Sequence, residues 1–350
     1  MNVIFLKQKS ALNALVNLYK LKLAIWGQLQ RSANYKSVLT IGLMLLLHTN
    51  AYAQAPSGSD IWLARLNVNA AEPISDLVAI TNNNLYTNQP YFFDDTRLYF
   101  TQMVVQEGAE NDMKQAIQQT DIMLFDIALG KTKNLTQSLS SEYSPTPLPN
   151  KEGMSVIRVN EQGKQELWSL NTQGQQVSHL AHEIEPVGYQ VWLNHNELLL
   201  FVLGGVDDSG ETKPHQLQRV NSDNNVEDTI IDQGIGASLY RFKQTPWFLY
   251  SKDMADEGNW LFAYHAKTEK KLRISTLPQG SDYFAVSPSG IVFTSDGKQL
   301  WQRQIVDIKT KLSPQKEWQV IGIKEKTCQA GISRIGVSPD ESMVALVCPH

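Results

Sequence analysis

Residues Tyr143–Leu170, YSPTPLPNKEGMSVIRVNEQGKQELWSL, contain the unit that the rest of the chain repeats. Three short strands are predicted in it: Tyr143–Leu148, Met154–Val159 and Glu166–Leu170. The turns between them, Pro149-Asn150-Lys151-Glu152-Gly153 and Glu161-Gln162-Gly163-Lys164, are rich in residues that accept tight-turn backbone. The signal GKQELW (Gly163–Trp168) returns as GKQLW (Gly297–Trp301), and more loosely as GSDIW (Gly58–Trp62) and GNW (Gly258–Trp260). A repeated three- or four-stranded unit of this length points to the blade of a β-propeller.

Outward from this unit, strands of the same apolar-aromatic character recur at Asp60–Leu66, Asp121–Ile127, His215–Val220, Asn259–Tyr264 and Gln299–Arg303. We read these as third strands. Each of these, and Glu166–Leu170, has a fourth strand behind it: Asp76–Thr81, Lys133–Gln137, Gln175–His179, Glu227–Asp232, Lys271–Thr276 and Trp318–Ile323. Hairpins supply first and second strands, the first strands being Gln89–Phe93, Tyr143–Leu148, Tyr189–Leu193, Ser238–Lys243, Tyr283–Ser287 and Ser333–Ser338. The chain thus starts with a third and fourth strand (Asp60–Thr81) and ends with a first and second (Ser333–Val347). Joining these ends gives an all-β, six-bladed propeller of four-stranded antiparallel blades, with the ring closed by pairing between the two termini. Such closure removes the exposed sheet edges that promote aggregation.

The first 53 residues stand apart. Ser37–Leu47 (SVLTIGLMLLL) has the length of a signal-peptide core, with Arg31 and Lys36 before it and the small-x-small site Ala51-Tyr52-Ala53 after it. A membrane span needs about 20 apolar residues, so this run is too short for one. The expectation is cleavage after Ala53 and export to the periplasm or beyond, leaving no membrane span in the mature chain; the alternative is an uncleaved anchor. Met1–Gln30 is long for the segment ahead of a signal core and reads as an upstream start or an amphipathic extension. Residues 54–350 are expected to form a single propeller domain.

The leader carries six basic residues (Lys7, Lys9, Lys20, Lys22, Arg31, Lys36) and no acidic ones, so 31 less 6 leaves 25 basic against 35 acidic residues, a net charge of −10. An acidic protein lacks the basic surface that phosphate backbones require, which argues against nucleic acid as a partner. Both cysteines, Cys328 and Cys348, flank the last hairpin. Antiparallel pairing there would bring them together, and export would favour a disulfide; a free buried pair is the alternative.

The hairpin turns resemble the repeat of TolB-like propellers, whose signature is a Ser-Pro-Asp-Gly turn between an aromatic first strand and an apolar second one. The matches are Ser338-Pro339-Asp340-Glu341, Ser287-Pro288-Ser289-Gly290 and, loosely, Leu148–Gly153. The resemblance covers roughly Ser59–His350, and the segments Glu142–Leu170 and Pro186–Gly204 look like an exported subgroup of unassigned function. It implies a fold and a compartment. TolB itself carries an α/β domain ahead of its propeller; no such segment is read here, so its translocation role is not carried over.

Sequence patterns of catalytic grade are absent: there is no Gly-x-Ser-x-Gly, His-Glu-x-x-His or Cys-x-x-Cys. Gly234-Ile235-Gly236 lacks the third glycine of a dinucleotide site and reads as a turn. His179 and His182 provide two imidazoles without a third ligand, and Asp207-Asp208-Ser209-Gly210-Glu211 lacks the spacing of a calcium loop. Neither implies a metal, and no cofactor is expected. Trp62, Trp168, Trp260 and Trp301 fill equivalent strand positions, which assigns them to packing between blades.

Two polar insertions interrupt the spacing, Gln106–Thr120 and Gly204–Lys213. Both fall between second and third strands, hence on one propeller face, and they bring Glu107, Glu110, Asp112, Asp207, Asp208 and Glu211 there. First strands should line the central channel, with the loops leading into them around one mouth. That placement nominates Tyr86, Glu142, Tyr143, Tyr189 and Tyr283, with Arg158 and Arg241, as a site for an anionic or peptide group. The favoured reading is a monomeric scaffold that binds an envelope protein or peptide through one face. The alternatives are a propeller hydrolase or lyase acting on glycan or peptide, and a small-ligand sensor using the channel.

Overall fold

The structure, a computed structural model, describes residues 57–106, 117–206, 209–223, 229–308, 317–323 and 328–350. The leader (1–53) and the acidic residues Glu107, Glu110, Asp112, Asp207 and Asp208 lie outside the described residues.

The chain opens with β1 (Ser59–Leu66) and β2 (Ile74–Ala79). Blade 1 follows as β3 (Thr87–Asp94), β4 (Arg97–Gln106), β5 (Ile117–Asp126) and β6 (Lys131–Asn134). Blade 2 is β7 (Glu142–Pro147), β8 (Gly153–Val159), β9 (Gln165–Asn171) and β10 (Gln176–Leu180). Blade 3 begins with β11 (Val187–Trp192) and β12 (Glu197–Val202). A small hairpin, β13 (Gly205–Val206) with β14 (Thr212–Lys213), then projects before the blade is completed by β15 (Gln216–Asn221) and β16 (Thr229–Gln233). Blade 4 comprises β17 (Ile235–Arg241), β18 (Trp247–Asp253), β19 (Asn259–His265) and β20 (Lys271–Thr276). Blade 5 comprises β21 (Phe284–Val286), β22 (Ile291–Ser295), β23 (Leu300–Gln304) and β24 (Gln319–Ile321). The chain ends in β25 (Arg334–Val337) and β26 (Met343–Pro349).

The sheet order β2-β1-β26-β25 makes the last hairpin and the first two strands into blade 6, so the six-bladed ring is closed as the ragged ends required. Continuous register from Ser59↔Pro349 to Arg65↔Met343 holds the closure. Cys328 and Cys348 form a disulfide, with Cα atoms 4.8 Å apart, that fastens the loop before β25 to the closing strand. At the same seam Thr81 donates to Asp60 (2.9 Å), and the second Asp60 oxygen lies 3.3 Å from His350 Nε2.

Among the described residues hydrophobic burial falls into six clusters, one at each junction between neighbouring blades. This explains why second strands read as unbroken apolar runs instead of alternating with polar residues. In β12, Leu198 and Leu200 face blade 2, whereas Leu199 and Phe201 face blade 4. In β26, Val344, Leu346 and Cys348 pack toward blade 5 while Ala345 and Val347 pack toward blade 1. Trp62 and Trp168 pack against such inter-blade clusters; Trp260 instead lies under the Arg273 guanidinium, 3.4 Å from its ring centre. Fourth strands form the rim and are more exposed, as in the pattern of β6.

Candidate functional site

Because strands run up and down alternately, loops leading into first strands and loops between second and third strands share one face, here called the upper face. The β13–β14 hairpin therefore lies on the side from which the chain enters the channel wall. Glu211, at the tip of that hairpin, pairs with Lys213 at 2.7 Å.

The channel wall is built from six first strands, and their local sequence departs from regular strand for a reason. Register shifts occur between Asn88 and Tyr91, Tyr143 and Thr146, Val187 and Tyr189, and Ile235 and Leu239. Pro90 and Pro145 lack N–H donors and fit this inner edge, where no further strand pairs. Gln89 (φ 57°) and Ser144 (φ 54°) take left-handed backbone, which swings their polar groups toward neighbouring blades. Gln89 Oε1 accepts from Ser144 N (2.9 Å) and Thr101 Oγ1 (2.8 Å). Gln190 Nε2 in turn donates to Ser144 O (3.0 Å) and Ser155 Oγ (3.1 Å). The wall of blades 1 to 3 is thus stitched by two amides, Gln190 buried and Gln89 half-buried.

Across this channel lies Arg334, at the head of β25. Its Nη2 donates to the hydroxyl of Tyr189, which belongs to the blade on the opposite side. Its guanidinium also covers the rings of Tyr189 (4.8 Å) and Tyr283 (4.0 Å). Tyr86 and Tyr240 complete its electrostatic surroundings, and Tyr143 lies within electrostatic range of Tyr86. Each blade therefore contributes one member of a plug: Tyr86, Tyr143, Tyr189, Tyr240, Tyr283 and Arg334 in blade order. Burial works against the charge of Arg334, yet the surrounding tyrosines favour it and the net shift of its pKa is upward. Burial also pushes Tyr86, Tyr240 and Tyr283 up, so these hydroxyls stay neutral beside a permanent cation.

Among the described residues no carboxylate forms an ion pair with Arg334. The space next to it, about 70 Å³, is lined by Ser144, Gln190, Ser238, tyrosines and apolar groups, with no Asp, Glu or His among the described residues. A wider recess of about 210 Å³ reaches Arg334 from the upper face. Its two carboxylates are engaged elsewhere: Asp282 accepts from Asn259 Nδ2 (3.1 Å), and Asp296 from Lys298 N (2.8 Å), Gln299 N (2.8 Å) and Trp301 Nε1 (3.2 Å).

The other nominated residues lie apart from the plug. Glu142 heads β7 at the junction with blade 1, buried, accepting from Ser138 Oγ, with Arg158 Nε 3.9 Å away. Burial raises its pKa to about 7, and neighbouring Asp121 adds to the rise. Arg158 is on a second strand, held by Glu142 and by Ser140 Oγ at 3.2 Å. Arg241 ends β17 at the opposite mouth, donating to the carbonyls of Leu193 and Trp192. His179 stacks on Trp168 at 4.8 Å, and among the described residues no group of three or more His, Cys, Asp or Glu could hold a metal. No helix among the described residues is long and apolar enough to cross a membrane.

Arg334 was the residue that reading the sequence missed. The signal was present: Asp282-Tyr283 and Glu142-Tyr143 occupy the position that Ser333-Arg334 takes in the last hairpin. Extending the same offset to the sixth repeat points to it.

Six blades around a tyrosine-lined channel define a β-propeller, and solved structures of the same fold include a TolB-type protein and a gluconolactonase. A protein assigned as TolB from Agrobacterium tumefaciens aligns with TM-score 0.56 and 12% identity, over 84% of this chain and 99% of its own. A gluconolactonase from Xanthomonas campestris aligns with TM-score 0.55 and 11% identity, over 84% and 99%. At such identities the likeness establishes the fold alone. No family model and no curated protein matches the sequence.

Proposed function

We propose that this chain is an exported binding scaffold, which takes a protein or peptide on its upper face and anchors a carboxylate of that partner on Arg334. One observation carries the reading: among the described residues, a guanidinium crosses the channel with a single tyrosine hydroxyl as its hydrogen-bond acceptor and no carboxylate paired to it. A half-buried cation left in this state gains from an acceptor supplied in trans. The tyrosines around it add flat, amphipathic contact area of the kind that dominates binding energetics. Export is supported by the leader's composition and by a disulfide at the ring closure. The lining offers tyrosines and an arginine but no group that exchanges protons near neutral pH, which favours binding over acid–base chemistry at this point.

The test is capture of partners from the native envelope by the mature chain after mild crosslinking, comparing the wild type with Arg334→Gln. Loss of a charge-assisted hydrogen bond is worth about 1.5–3 kcal/mol, so affinity for the captured partner should fall by roughly 10- to 100-fold. A partner retained at unchanged affinity would refute the anchoring role. The small-ligand reading shares the anchor and is favoured by the 70 Å³ space beside it; acetate binding that is lost in the same variant, with no protein captured, would select it.

A further inference from the structure

The channel opens at its lower end into a second recess of about 300 Å³, whose chemistry differs from that of the plug. Its walls are aromatic and rigid: Tyr91, Trp192 and Tyr240 stand with Pro147, Pro288 and Pro339. Two cations enter it, Arg241 and Lys243, both half-buried. Arg241 is fixed by the carbonyls of Trp192 and Leu193 and lies over Phe248 at 5.1 Å. Lys243 donates to Val306 O (2.9 Å) over the ring of Phe242, 5.2 Å away. Neither has a carboxylate partner among the described residues, and none of the lining residues is acidic.

Carboxylates do occur on the surrounding lower turns, but each is engaged. Asp94 pairs with Arg97; Asp95 accepts from Asp340 N (2.8 Å); Asp340 binds Ser338 and Ser342; Glu341 accepts from Ser289 N. The recess is therefore a cationic, aromatic-walled cup within an acidic protein. One arginine and one lysine whose remaining donors face a cavity favour an anion, and flat aromatic walls favour a ring attached to it.

We infer that this lower recess is a second binding site, for a small carboxylate carried on a ring, as in a sugar acid or an aromatic acid. Arg334, which would anchor an upper-face partner, takes no part in it, although Tyr91 and Tyr240 line both spaces. Arg241 and Lys243 would share the carboxylate while Trp192 and Tyr91 cover the ring. The competing account makes both cations braces between blades, since Arg241 bonds carbonyls of blade 3 and Lys243 one of blade 5. That account predicts no ligand at all.

The experiment follows the indole N–H signal of Trp192 by nitrogen-15 NMR, assigned with Trp192→Phe, during titration with glucuronate, benzoate and neutral glucose. The indole donates to Ser155 Oγ (3.0 Å) and sits in the cup wall, so a ligand there moves it. Saturable shifts with glucuronate or benzoate are expected, with a Kd of about 1 mM or tighter. They should weaken at least about 10-fold in Arg241→Gln/Lys243→Gln and persist in Arg334→Gln. Which acid binds distinguishes sugar from aromatic ligands. Glutamine retains a donor for each carbonyl, and Lys243→Arg, which keeps the charge, should retain binding if the double variant unfolds. Absence of saturation with either acid, equal binding of glucose, or loss in Arg334→Gln instead would overturn the inference.

Discussion

Breaking the Cys328–Cys348 bond should weaken the whole ring, because it fastens the blade that contains both chain ends. The bond closes a segment of 20 residues. Constraining an unfolded chain over that length removes about 11 cal/mol/K of entropy, or about 3 kcal/mol at 25 °C. For a cooperative unit of this size the entropy of unfolding is on the order of 0.6 kcal/mol/K, so the melting temperature should fall by about 5 °C. Cys328→Ala is the variant of choice. Cys348 packs in the core between blades 5 and 6 at 4% exposure, and its removal would add a cavity cost; Cys328 is only half-buried in the loop before β25. Calorimetric melts of wild type and Cys328→Ala, each with and without reductant, isolate the effect. Reductant should lower the wild type to the level of the variant and leave the variant unmoved. A variant that melts within about 1 °C of the oxidised wild type would refute the entropic argument, as would an equal effect of reductant on both proteins.

Two further outcomes follow from burial. Glu142 is 2% exposed, and burial lifts its carboxyl from 4.5 to about 7, so the folded state holds a proton that the unfolded chain releases. Stability from this group is fully present below pH 4.5 and is lost as pH rises through 7; up to about 3 kcal/mol is at stake, and urea midpoints at pH 5 and pH 8 should converge in Glu142→Gln. Leu200→Ala, at a fully buried position between blades 2 and 3, should cost about 2–5 kcal/mol in urea unfolding, whereas Ile230→Ala on the exposed fourth strand should cost under about 0.5 kcal/mol.

The blade count was legible because each inner pair of strands is buried on both faces, which leaves runs such as Leu198–Val202 that no solvated strand would carry. The closure was legible from the unmatched strands at the two ends. Outer strands were placed less well: β6 occupies Lys131–Asn134 where the sequence suggested Lys133–Gln137, and β24 covers Gln319–Ile321 within a longer predicted span. Rim strands pack on one side only, so polar residues there carry little positional information. The first insertion is also partly structured, since Ile117–Thr120 pair with Met103–Gln106 and lengthen the β4–β5 hairpin. Repetition of a hydrophobic pattern says nothing against such an extension.

The plug illustrates a different limit. Four of its tyrosines were reachable by position alone, because each lies at or just before the start of a first strand. The cation among them was not, for two reasons. The apparent candidates Arg158 and Arg241 are nearer in sequence to those tyrosines, yet one is satisfied by a carboxylate on the neighbouring strand and the other points out of the opposite mouth. Arg334 meets Tyr189 across 145 positions of sequence, through a ring that exists only once the termini have paired. Contact across the channel is thus a property of closure, and no local motif encodes it. The seam and the site are for this reason one mechanical unit: β25 carries Arg334, β26 holds β25 in register, and β1 holds β26. Loosening that seam should disturb the arginine before it disturbs the tyrosines of blades 2 and 3.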